Sequence, residues 1–363
     1  MIALASSILL IYVVIIVMGI LAWKSKKPIP SSSIANELIT VVVPFRNEEN
    51  YLEECINTLA VQANSGPVEI LLMDDHSTDN SLKIAQRISD EYPHIQVRTV
   101  SNAEGKKAAI EQAINAAQGN VILQTDADCI VPINWISTMR KQFSSNCQLL
   151  LGPVKVYDHA QSWNWINQLE MMTLQLITAG TVHYQHPTMA NGANIMYRKR
   201  LYFDYLKSGI GQGFASGDDQ HLLDYAASIN KKDIHYAQEK DAIITTDFPC
   251  EWNLMVAQRA RWASKNKQAS GAVKYLGLLF TITQFTFPLL LLSSVFSPSI
   301  LPYAWDFIVV KSLIEIIALY FVNQFFNCAS FKYSAIFPFV YPFFLAQVAL
   351  QTTKKGTWKN RSI

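Results

Sequence analysis

The sequence predicts an α/β fold, built on a mostly parallel, twisted β-sheet, with apolar helices near both ends of the chain. Two patterns predict this class. Short apolar runs alternate with amphipathic stretches in the first half, and long, almost uncharged segments flank the region that contains them. Continuous apolar strands that alternate with helices are typical of a parallel sheet covered on both faces. With 363 residues, the chain is long enough for one large domain or two modest ones.

Four short apolar runs predict the strands of this sheet, and helical spacing follows the first three of them. The strands are predicted at residues 38–43, 68–73, 95–100 and 121–124. The helices are indicated by Leu52, Cys55, Ile56 and Leu59, then by Leu82, Ala85 and Ile88 with a cap at 77–79, and finally by residues 106–117, which Gly119 ends.

Residues 2–23 contain no charged side chain. About 20 such residues, as a helix, cross the ~30 Å hydrocarbon core of a bilayer. A cleaved signal peptide is the alternative, but the charges of Lys24, Lys26 and Lys27 follow the apolar stretch instead of preceding it. By the positive-inside rule, these lysines hold the next segment in the cytoplasm. The segment therefore predicts a transmembrane anchor.

Three further apolar segments follow, at residues 275–296, 301–323 and 334–350. The second contains Lys311 and Glu315, an i,i+4 pair that can neutralise itself inside a helix bundle. The third contains two prolines and is only marginally long enough to cross a bilayer. Three full crossings would place the basic C-terminal tail outside, against the positive-inside rule. We therefore expect the third segment to be re-entrant or interfacial.

These segments divide the chain into five predicted parts. They are a transmembrane anchor, a linker, a cytoplasmic domain, a group of C-terminal transmembrane or re-entrant segments and a basic tail, at residues 1–23, 24–37, 38–270, 271–353 and 354–363. We expect an integral protein of a bacterial inner membrane, with its main domain in the cytoplasm.

Composition excludes some classes of protein. The net charge of +2 gives no support to nucleic-acid binding, which needs a basic surface. The five cysteines are scattered, without the paired spacing of a zinc site. Reduced cytosolic thiols are the simplest account of them.

Two carboxylates separated by one residue, Asp126 and Asp128, directly follow the fourth predicted strand. In open α/β sheets, ligands bind in the crevice beyond the carboxyl ends of the strands. Hard oxygen ligands suit Mg²⁺ or Mn²⁺, ions that one or two carboxylates hold and substrate phosphates complete. A capping or turn carboxylate is the alternative interpretation.

Other charged residues lie at comparable positions. Asp74 and Asp75 end the second predicted strand, and one of them must point into the same crevice, as an acceptor for a base or a ribose hydroxyl; helix capping is the alternative. Lys106, at a helix start, is a candidate partner for a diphosphate or, alternatively, a solvated lysine. Asp218 and Asp219 form a pair beside a glycine, and such mutually repelling carboxylates often mark acid/base sites.

Two segments later in the chain have more than one interpretation. Gln258 and Arg261 share a helical face at i,i+3, and Arg261 stands beside Trp262, which by itself indicates an amphipathic helix at a membrane surface. The aromatic and methionine-rich stretch at 163–177 indicates either core packing or a surface helix that lies against a membrane or lines an acceptor site.

In this order, and flanked by apolar segments, these motifs resemble the processive-type branch of family 2 glycosyltransferases. That branch includes cellulose, hyaluronan and poly-N-acetylglucosamine synthases and ceramide glucosyltransferases. The resemblance covers residues 38–265 and the membrane layout. Its motifs are Val41-Val42-Val43-Pro44 with Asn47-Glu48-Glu49, Asp74-Asp75-His76-Ser77, Thr125-Asp126-Ala127-Asp128, Asn191-Gly192-Ala193-Asn194, Gly217-Asp218-Asp219 and Gln258-x-x-Arg261-Trp262.

The resemblance implies a GT-A-type sheet with one N-terminal and two to three C-terminal membrane helices. It implies inverting, metal-dependent transfer of a sugar from a nucleotide sugar, a UDP-sugar, to a lipid, lipid-linked or polysaccharide acceptor at the cytoplasmic membrane face. Mg²⁺ or Mn²⁺ is the implied cofactor.

The resemblance also implies roles for individual residues. Asp219 would be the general base and Asp128 would hold the metal. Gln258, Arg261 and Trp262 would close over the donor diphosphate and frame the acceptor site. The nucleotide sugar would be bound by Pro44, Glu48, Asp75 and Asp126, to which the helix-start argument adds Lys106.

Two departures from the family matter. Relatives often have Glu-Asp where this chain has Asp218-Asp219, so the assignment of the base depends on the second position. Fewer apolar segments than in the large polymer synthases favour a single-sugar transfer over processive polysaccharide synthesis.

Two other classes of protein compete with this interpretation. A catalytically inactive scaffold or transporter component is opposed by the presence of both Asp128 and Asp219. A sugar-phosphate nucleotidyltransferase would need a glycine-rich, lysine-containing loop near the N-terminus, and residues 41–50 contain no such loop.

Overall fold

The chain divides into two compact units in a computed structural model that describes residues 1–25, 34–62, 66–101, 103–160, 162–211, 217–265, 271–352, 357–358 and 361–362. The sheet unit comprises Lys26–Val156 and Val182–Asp247. The helical unit comprises Met1–Ser25, Tyr157–Thr181 and Phe248–Ile363. Most of the predicted linker and most of the predicted basic tail lie outside the described residues. The domain boundaries inferred from the sequence stay a prediction.

The strands of the sheet unit confirm the four runs predicted from apolar patterning. In chain order they are β1 (Ile39–Phe45), β2 (Val68–Asp74), β3 (Ile95–Thr99), β4 (Val121–Gln124), β5 (Cys129–Ile130), β6 (Leu149–Leu151), β7 (Val154–Val156), β8 (Ile195–Arg198), β9 (Ile234–Tyr236) and β10 (Ile244–Thr246). All seven residues of β1 are buried, as expected for a strand covered on both faces.

Seven of these strands form one sheet in the order β3-β2-β1-β4-β8-β6-β9. Strands β3, β2, β1 and β4 are parallel, and β8 runs antiparallel to both β4 and β6. The prediction of a mostly parallel α/β sheet is therefore confirmed. A second sheet, in the order β5-β10-β7, begins directly after Asp128.

The helices of both units are, in chain order, α1 (Ile2–Lys24), α2 (Leu52–Ala60), α3 (Ser81–Glu91), α4 (Lys106–Ala116), α5 (Trp135–Gln142), α6 (Asn164–His183), α7 (Lys199–Ser208), α8 (Asp218–Asn230), α9 (Trp252–Lys265), α10 (Gly271–Phe296), α11 (Leu301–Phe326) and α12 (Phe337–Gln351). A short ribbon, β11 (Thr357–Trp358) and β12 (Arg361–Ser362), follows α12.

One part of the core of the sheet unit lies between the seven-stranded sheet and helices α4, α7 and α8. Ile110 and Ala113 of α4 and Leu223 of α8 pack into the same buried cluster as Ile122 of β4. Burying a leucine- or isoleucine-sized side chain contributes about 1.5–3 kcal/mol. This packing fixes the first turns of α4 and α8, which carry predicted site residues.

The N-cap of α3 lies one residue after the predicted positions 77–79. The Asp79 carboxylate accepts a hydrogen bond from the backbone N–H of Ser81 at 2.9 Å, and Asn80 occupies the N-cap. The carboxylate of Asp74 instead accepts from the backbone N–H of Ser77 at 3.0 Å, which closes the loop after β2.

In the helical unit, the predicted apolar segments all form helices. Ile2–Lys24 and Val273–Phe296 are long and apolar enough to cross a membrane, by length and composition. Phe337–Gln351 is a shorter apolar helix. Side chains such as Leu4, 66% exposed, and Phe343, 68% exposed, leave apolar surface uncovered.

The predicted neutralising pair in α11 is confirmed. The Lys311 ammonium lies 2.8 Å from the Glu315 carboxylate, and only 1% of Lys311 is exposed. The hydroxyl of Tyr12 in α1 donates to the same carboxylate at 2.5 Å. A buried charge needs such partners because an unpaired one carries a large desolvation penalty.

The aromatic and methionine-rich stretch is mainly core. Within α6, Leu169, Met171, Met172 and Leu176 are buried. Trp163, just before α6, is 37% exposed. The core-packing interpretation therefore holds for the body of the helix, while Trp163 keeps a partly exposed ring.

Candidate active site

The loops after β1 and β2 are joined to each other by Asn47. Its side-chain oxygen accepts from the backbone N–H of Thr78 at 2.7 Å, and its own N–H donates to the Ser77 hydroxyl at 3.1 Å. Asn47 and His76 have φ of 53° and 59°, a left-handed conformation that non-glycine residues rarely adopt and that clusters at functional sites. The two loops are therefore held together by hydrogen bonds beyond the carboxyl ends of β1 and β2.

Asp75 is held at this edge and is 4% exposed. Its carboxylate accepts from the backbone N–H of Gly105 at 2.8 Å and lies 3.6 Å from the Arg46 guanidinium. Gly105 has φ of +105°, so a glycine suits this position. Pro44 is buried within β1, opposite Met73 of β2. The predicted nucleotide-binding roles of Asp75 and Pro44 stay predictions.

Lys106 and Asp126 form an ion pair at the end of β4. Lys106 is the first residue of α4, and its ammonium lies 2.5 Å from the Asp126 carboxylate. Partial burial disfavours the charged form of Lys106, but the carboxylate of Asp126, with weaker contributions from Asp219 and Asp128, raises its pKa. Lys106 is thus paired with a carboxylate while its side chain stays 44% exposed, and its predicted role at a diphosphate stays a prediction.

Asp128 carries a carboxylate whose charge is poorly compensated. Burial, followed by the carboxylates of Asp126 and Glu48, raises its pKa to about 7, while Lys106 opposes this shift. The Thr246 hydroxyl of β10 lies 3.5 Å from the same carboxylate. A group of acidic side chains with an excess of negative charge suits a cation, because the cation would remove the repulsion that raises the pKa.

The side chains that the structure describes do not form a complete metal site by themselves. Among the residues described, no three histidine, cysteine, aspartate or glutamate side chains are arranged to hold a metal ion. Asp126 and Asp128 nevertheless fit Mg²⁺ or Mn²⁺, since these ions are commonly held by one or two carboxylates together with substrate phosphates. The fit is therefore to a metal that arrives with, or is completed by, a phosphate ligand.

Asp219 lies close to the end of β4 through a short chain of hydrogen bonds. The side-chain amide of Gln124 donates to the carbonyl of Gly192 at 3.0 Å. The N–H of Gly192 donates to the Asp219 carboxylate at 2.9 Å. Gly192 belongs to the Asn-Gly-Ala-Asn motif that the sequence singled out, and a side chain there would meet both neighbours.

The adjacent acid, Asp218, has a different partner. Its carboxylate lies 3.2 Å from the Lys107 ammonium. Burial raises the pKa of Asp218, and Lys107 opposes that shift. The two adjacent acids therefore have different surroundings. Lys107 neutralises Asp218, whereas Asp219 lies beside Gly192 and near Lys106.

The sequence analysis did not identify Tyr51 and Asp247, two residues that lie near Asp128. The Tyr51 hydroxyl donates to the Asp247 carboxylate at 2.8 Å. That hydrogen bond, burial and the nearby charges of Asp247, Asp128 and Glu48 raise the pKa of Tyr51 to about 12. No local pattern connects positions 51 and 247. Asp247 directly follows β10, and the pairing of β10 with β5, a contact between distant parts of the chain, brings it near Asp128.

Gln258, Arg261 and Trp262 belong to α9, in the helical unit. Burial lowers the pKa of Arg261. The Trp262 ring contacts the Phe248 ring, with centroids 5.5 Å apart. The predicted function of these three residues, over the donor diphosphate and the acceptor, stays a prediction.

Comparison with known proteins places this site in a family. The family model described as Glycosyl transferase family 2 matches residues 40–206, which contain Asp75, Lys106, Asp126 and Asp128. This region has the sequence pattern of glycosyl transferase family 2, and the protein is a glycosyltransferase. The prediction of a glycosyltransferase is thereby confirmed.

Curated relatives of this glycosyltransferase are moderately similar. It is 26% identical over 231 residues to the glycosyltransferase GlyG of Streptococcus pneumoniae serotype 4, a match that covers 60% of this chain and 76% of GlyG. It is 24% identical over 235 residues to an N-acetylglucosaminyltransferase of Bradyrhizobium diazoefficiens, covering 62% of this chain and 48% of that protein. The chain thus spans about half of the second relative.

A solved structure with a similar fold is the mannosyltransferase PcManGT from Pyrobaculum calidifontis, in complex with GDP-Man and Mn²⁺. The match has a TM-score of 0.57 and 15% identity, and it covers 97% of this chain and 96% of that one. This likeness shows the GT-A-like fold, a mixed and mostly parallel sheet.

Proposed function

We propose that this glycosyltransferase transfers one sugar, with inversion, from a nucleotide sugar to a lipid or lipid-linked acceptor at the cytoplasmic face of a membrane. The observation that carries the proposal is the acid cluster at the end of β4, where Asp126, Asp128, Lys106 and Asp219 lie close together. Such a cluster suits a leaving diphosphate and a hydroxyl that must lose its proton.

Asp128, assisted by Asp126, is proposed to hold a divalent cation together with the donor diphosphate. A bound Mg²⁺ or Mn²⁺ would supply positive charge for the departing nucleoside diphosphate. Lys106 keeps Asp126 in place and adds a second positive charge within the cluster. Its pairing with Asp126 also restrains the first turn of α4 beside the diphosphate.

Asp219 is proposed as the general base. An acceptor hydroxyl is a poor nucleophile at neutral pH, and a carboxylate that takes its proton contributes about 10²–10⁴-fold. Asp219 suits this function better than Asp218 because Lys107 already neutralises Asp218. A single displacement, with the hydroxyl attacking the anomeric carbon as the diphosphate leaves, inverts that centre.

The membrane location is supported by α1 and α10, which are long and apolar enough to cross a bilayer. An acceptor embedded in the same bilayer would then reach the enzyme by lateral diffusion. Processive polysaccharide synthesis is the alternative, and the modest number of apolar helices favours the single transfer.

The experiment that tests this proposal measures nucleoside diphosphate release from purified, detergent-solubilised protein. The panel contains UDP-glucose, UDP-galactose, UDP-N-acetylglucosamine and GDP-mannose, each with Mn²⁺, Mg²⁺ or EDTA. We expect slow, metal-dependent hydrolysis of one UDP-sugar. Preference for GDP-mannose would correct the nucleotide, and metal-independent release would contradict the role of Asp128.

A further inference from the structure

Arg259 is a buried arginine of α9. It lies within the sequence motif Gln258-x-x-Arg261-Trp262, called the α9 motif below, and the sequence analysis assigned no role to it. It stands between Gln258 and Arg261 and is only 5% exposed. A buried guanidinium is costly unless its donors are satisfied, so its partners indicate what it does.

All three nitrogen atoms of Arg259 make hydrogen bonds. Nε and Nη2 lie 2.8 and 2.7 Å from Oε2 of Glu170 in α6. Nη2 also donates to the Asn167 side-chain oxygen at 2.7 Å, and Nη1 donates to the Gln258 side-chain oxygen. The head group of Arg259 is thus held by α6 on one side and holds Gln258 on the other.

The Glu170 carboxylate is engaged at both oxygens. Its second oxygen, Oε1, accepts from the Tyr341 hydroxyl of α12 at 2.8 Å. The geometry of the ion pair is therefore set by three helices, α6, α9 and α12. Buried ion pairs are weak stabilisers, because desolvation offsets much of the Coulombic gain, but they hold side chains in one arrangement.

Arg259 also fixes the ring of Trp262. The centre of the guanidinium lies 4.5 Å from the Trp262 ring centroid and 5.0 Å from the Phe248 ring centroid. The planar guanidinium stacks on aromatic faces in a way that a lysine ammonium cannot reproduce. One side chain therefore orients two of the three residues predicted to contact the donor and acceptor.

We propose that Arg259, held by Glu170 and Tyr341, is a positioning residue that sets the side chains of Gln258 and Trp262 for sugar transfer. Because arginine has only donors, the oxygen of Gln258 must face it. The amide NH₂ of Gln258 is then the group offered to a ligand, so Gln258 serves an acceptor atom such as a phosphate or sugar oxygen. This inference rests on the proposed function of the α9 motif.

The test compares two tyrosines with the same local chemistry. Tyr341 and Tyr12 are both in helices of the helical unit, and each hydroxyl donates to a buried carboxylate that is paired with a cation. Only Tyr341 reaches the carboxylate that holds Arg259. Tyr341→Phe and Tyr12→Phe should therefore lower the melting temperature similarly but differ in catalysis.

We expect Tyr341→Phe to lower kcat/KM for the donor that the wild-type protein hydrolyses fastest by about 10-fold, the lower end of the range for a lost hydrogen bond to a charged group. Arg259→Lys should lower it by at least about 30-fold, because small displacements of positioned groups are costly in rate. Tyr12→Phe should stay within about 2-fold of the wild type, since it touches no motif residue.

Combination with Gln258→Ala separates positioning from a general loss of stability. Once the Gln258 amide is gone, Tyr341→Phe should have a smaller further effect, exerted through Trp262 alone, so the two changes should be non-additive. Full additivity, or equal losses in Tyr341→Phe and Tyr12→Phe, would overturn the positioning role. This holds even if Arg259→Lys fails to fold.

Diphosphate release by the wild-type protein distinguishes failure of this inference from failure of the proposed function. An active wild-type protein with an unaffected Tyr341→Phe variant contradicts the inference alone. A wild-type protein that releases no diphosphate from any donor, and binds neither UDP nor GDP with Mn²⁺ in calorimetry, refutes the proposed function and the inference that depends on it.

Discussion

At the scale of single residues, Asp219 tests the proposed chemistry most directly. Its carboxylate is oriented by the N–H of Gly192 and lies near Lys106, so replacing it with an amide preserves the shape and removes the proton acceptor. We expect Asp219→Asn to lower kcat by at least about 100-fold while donor binding changes little. Diphosphate release and calorimetric titration measure the two quantities.

The matched control is Asp204→Asn on the outer face of α7. The Asp204 side chain is 38% exposed and pairs only with surface residues Arg200 and Lys207 in the described contacts. Its replacement should leave kcat unchanged. Wild-type-like turnover in Asp219→Asn would remove Asp219 from the mechanism.

Asp128 gives a second prediction at this scale, for pH and metal. Its folded-state pKa of about 7 lies above the ordinary value of 3.8, so between these values the folded protein binds more protons than the unfolded one. The contribution of this carboxyl to stability is therefore complete at low pH and is lost as pH rises towards 7. A cation prefers the ionised form, so it should restore that loss.

We expect Mn²⁺ to raise the melting temperature more at pH 8 than at pH 5 in the wild-type protein. Asp128→Asn should remove this difference, because its side chain does not titrate. Thermal unfolding in detergent, with and without Mn²⁺ at both pH values, measures the effect. Equal stabilisation by Mn²⁺ at the two pH values would contradict the assignment of Asp128.

At the scale of elements, Arg140 at the end of α5 joins several backbone segments of the sheet unit. Its guanidinium donates to the carbonyls of Ile34, Ala35 and Glu37, and to that of Pro67 just before β2. The side chain is 5% exposed. It thereby fixes how the chain enters β1 and β2, whose far ends carry the site.

We expect Arg140→Lys to lower the free energy of unfolding by at least about 2 kcal/mol, because one ammonium cannot serve acceptors in that fork arrangement and leaves buried carbonyls unpaired. Arg200→Lys on α7, where the side chain is 92% exposed, is the matched control and should cost less than about 0.5 kcal/mol. Denaturant unfolding compares them. Equal costs would show that the carbonyl contacts contribute little.

The local architecture of the elements was largely predictable. Strands β1 to β4 follow short continuous apolar runs, and helices α2 to α4 follow an apolar periodicity of 3.6; both patterns are local and need no distant contact. The short strands β5, β7 and β10 were not predicted. Runs of two or three residues carry too little periodicity, and these strands exist because they pair with one another.

At the scale of the whole molecule, the proposed membrane location depends on two helices, α1 and α10. If both cross the bilayer, removal of either alone should leave the protein anchored. We expect a variant that lacks residues 1–24 to stay in the membrane fraction after alkaline carbonate extraction, since the apolar length of α10 suffices for a crossing. The full-length chain is the reference.

A second variant, in which Leu289 and Leu292 of α10 become Asp in the absence of residues 1–24, should be extracted. Both side chains are exposed in the described helix, at 60% and 62%, so the change acts on the surface that lipid would cover. Each central charge costs about 2.5–3.5 kcal/mol in a bilayer. Release of the protein that lacks only residues 1–24 would contradict a crossing by α10.

The sequence by itself determined the class of the fold, the apolar helices and the acidic motifs at Asp75, Asp126 and Asp219. Each depends on residues that are neighbours in the chain, and local periodicity and motif spacing record such relations directly. The tertiary structure alone decided which of these residues meet. Lys106 pairs with Asp126, Tyr51 with Asp247, and Arg259 with Glu170. These pairs join separate strands and helices, and only the order and packing of those elements, a non-local property, brings them together.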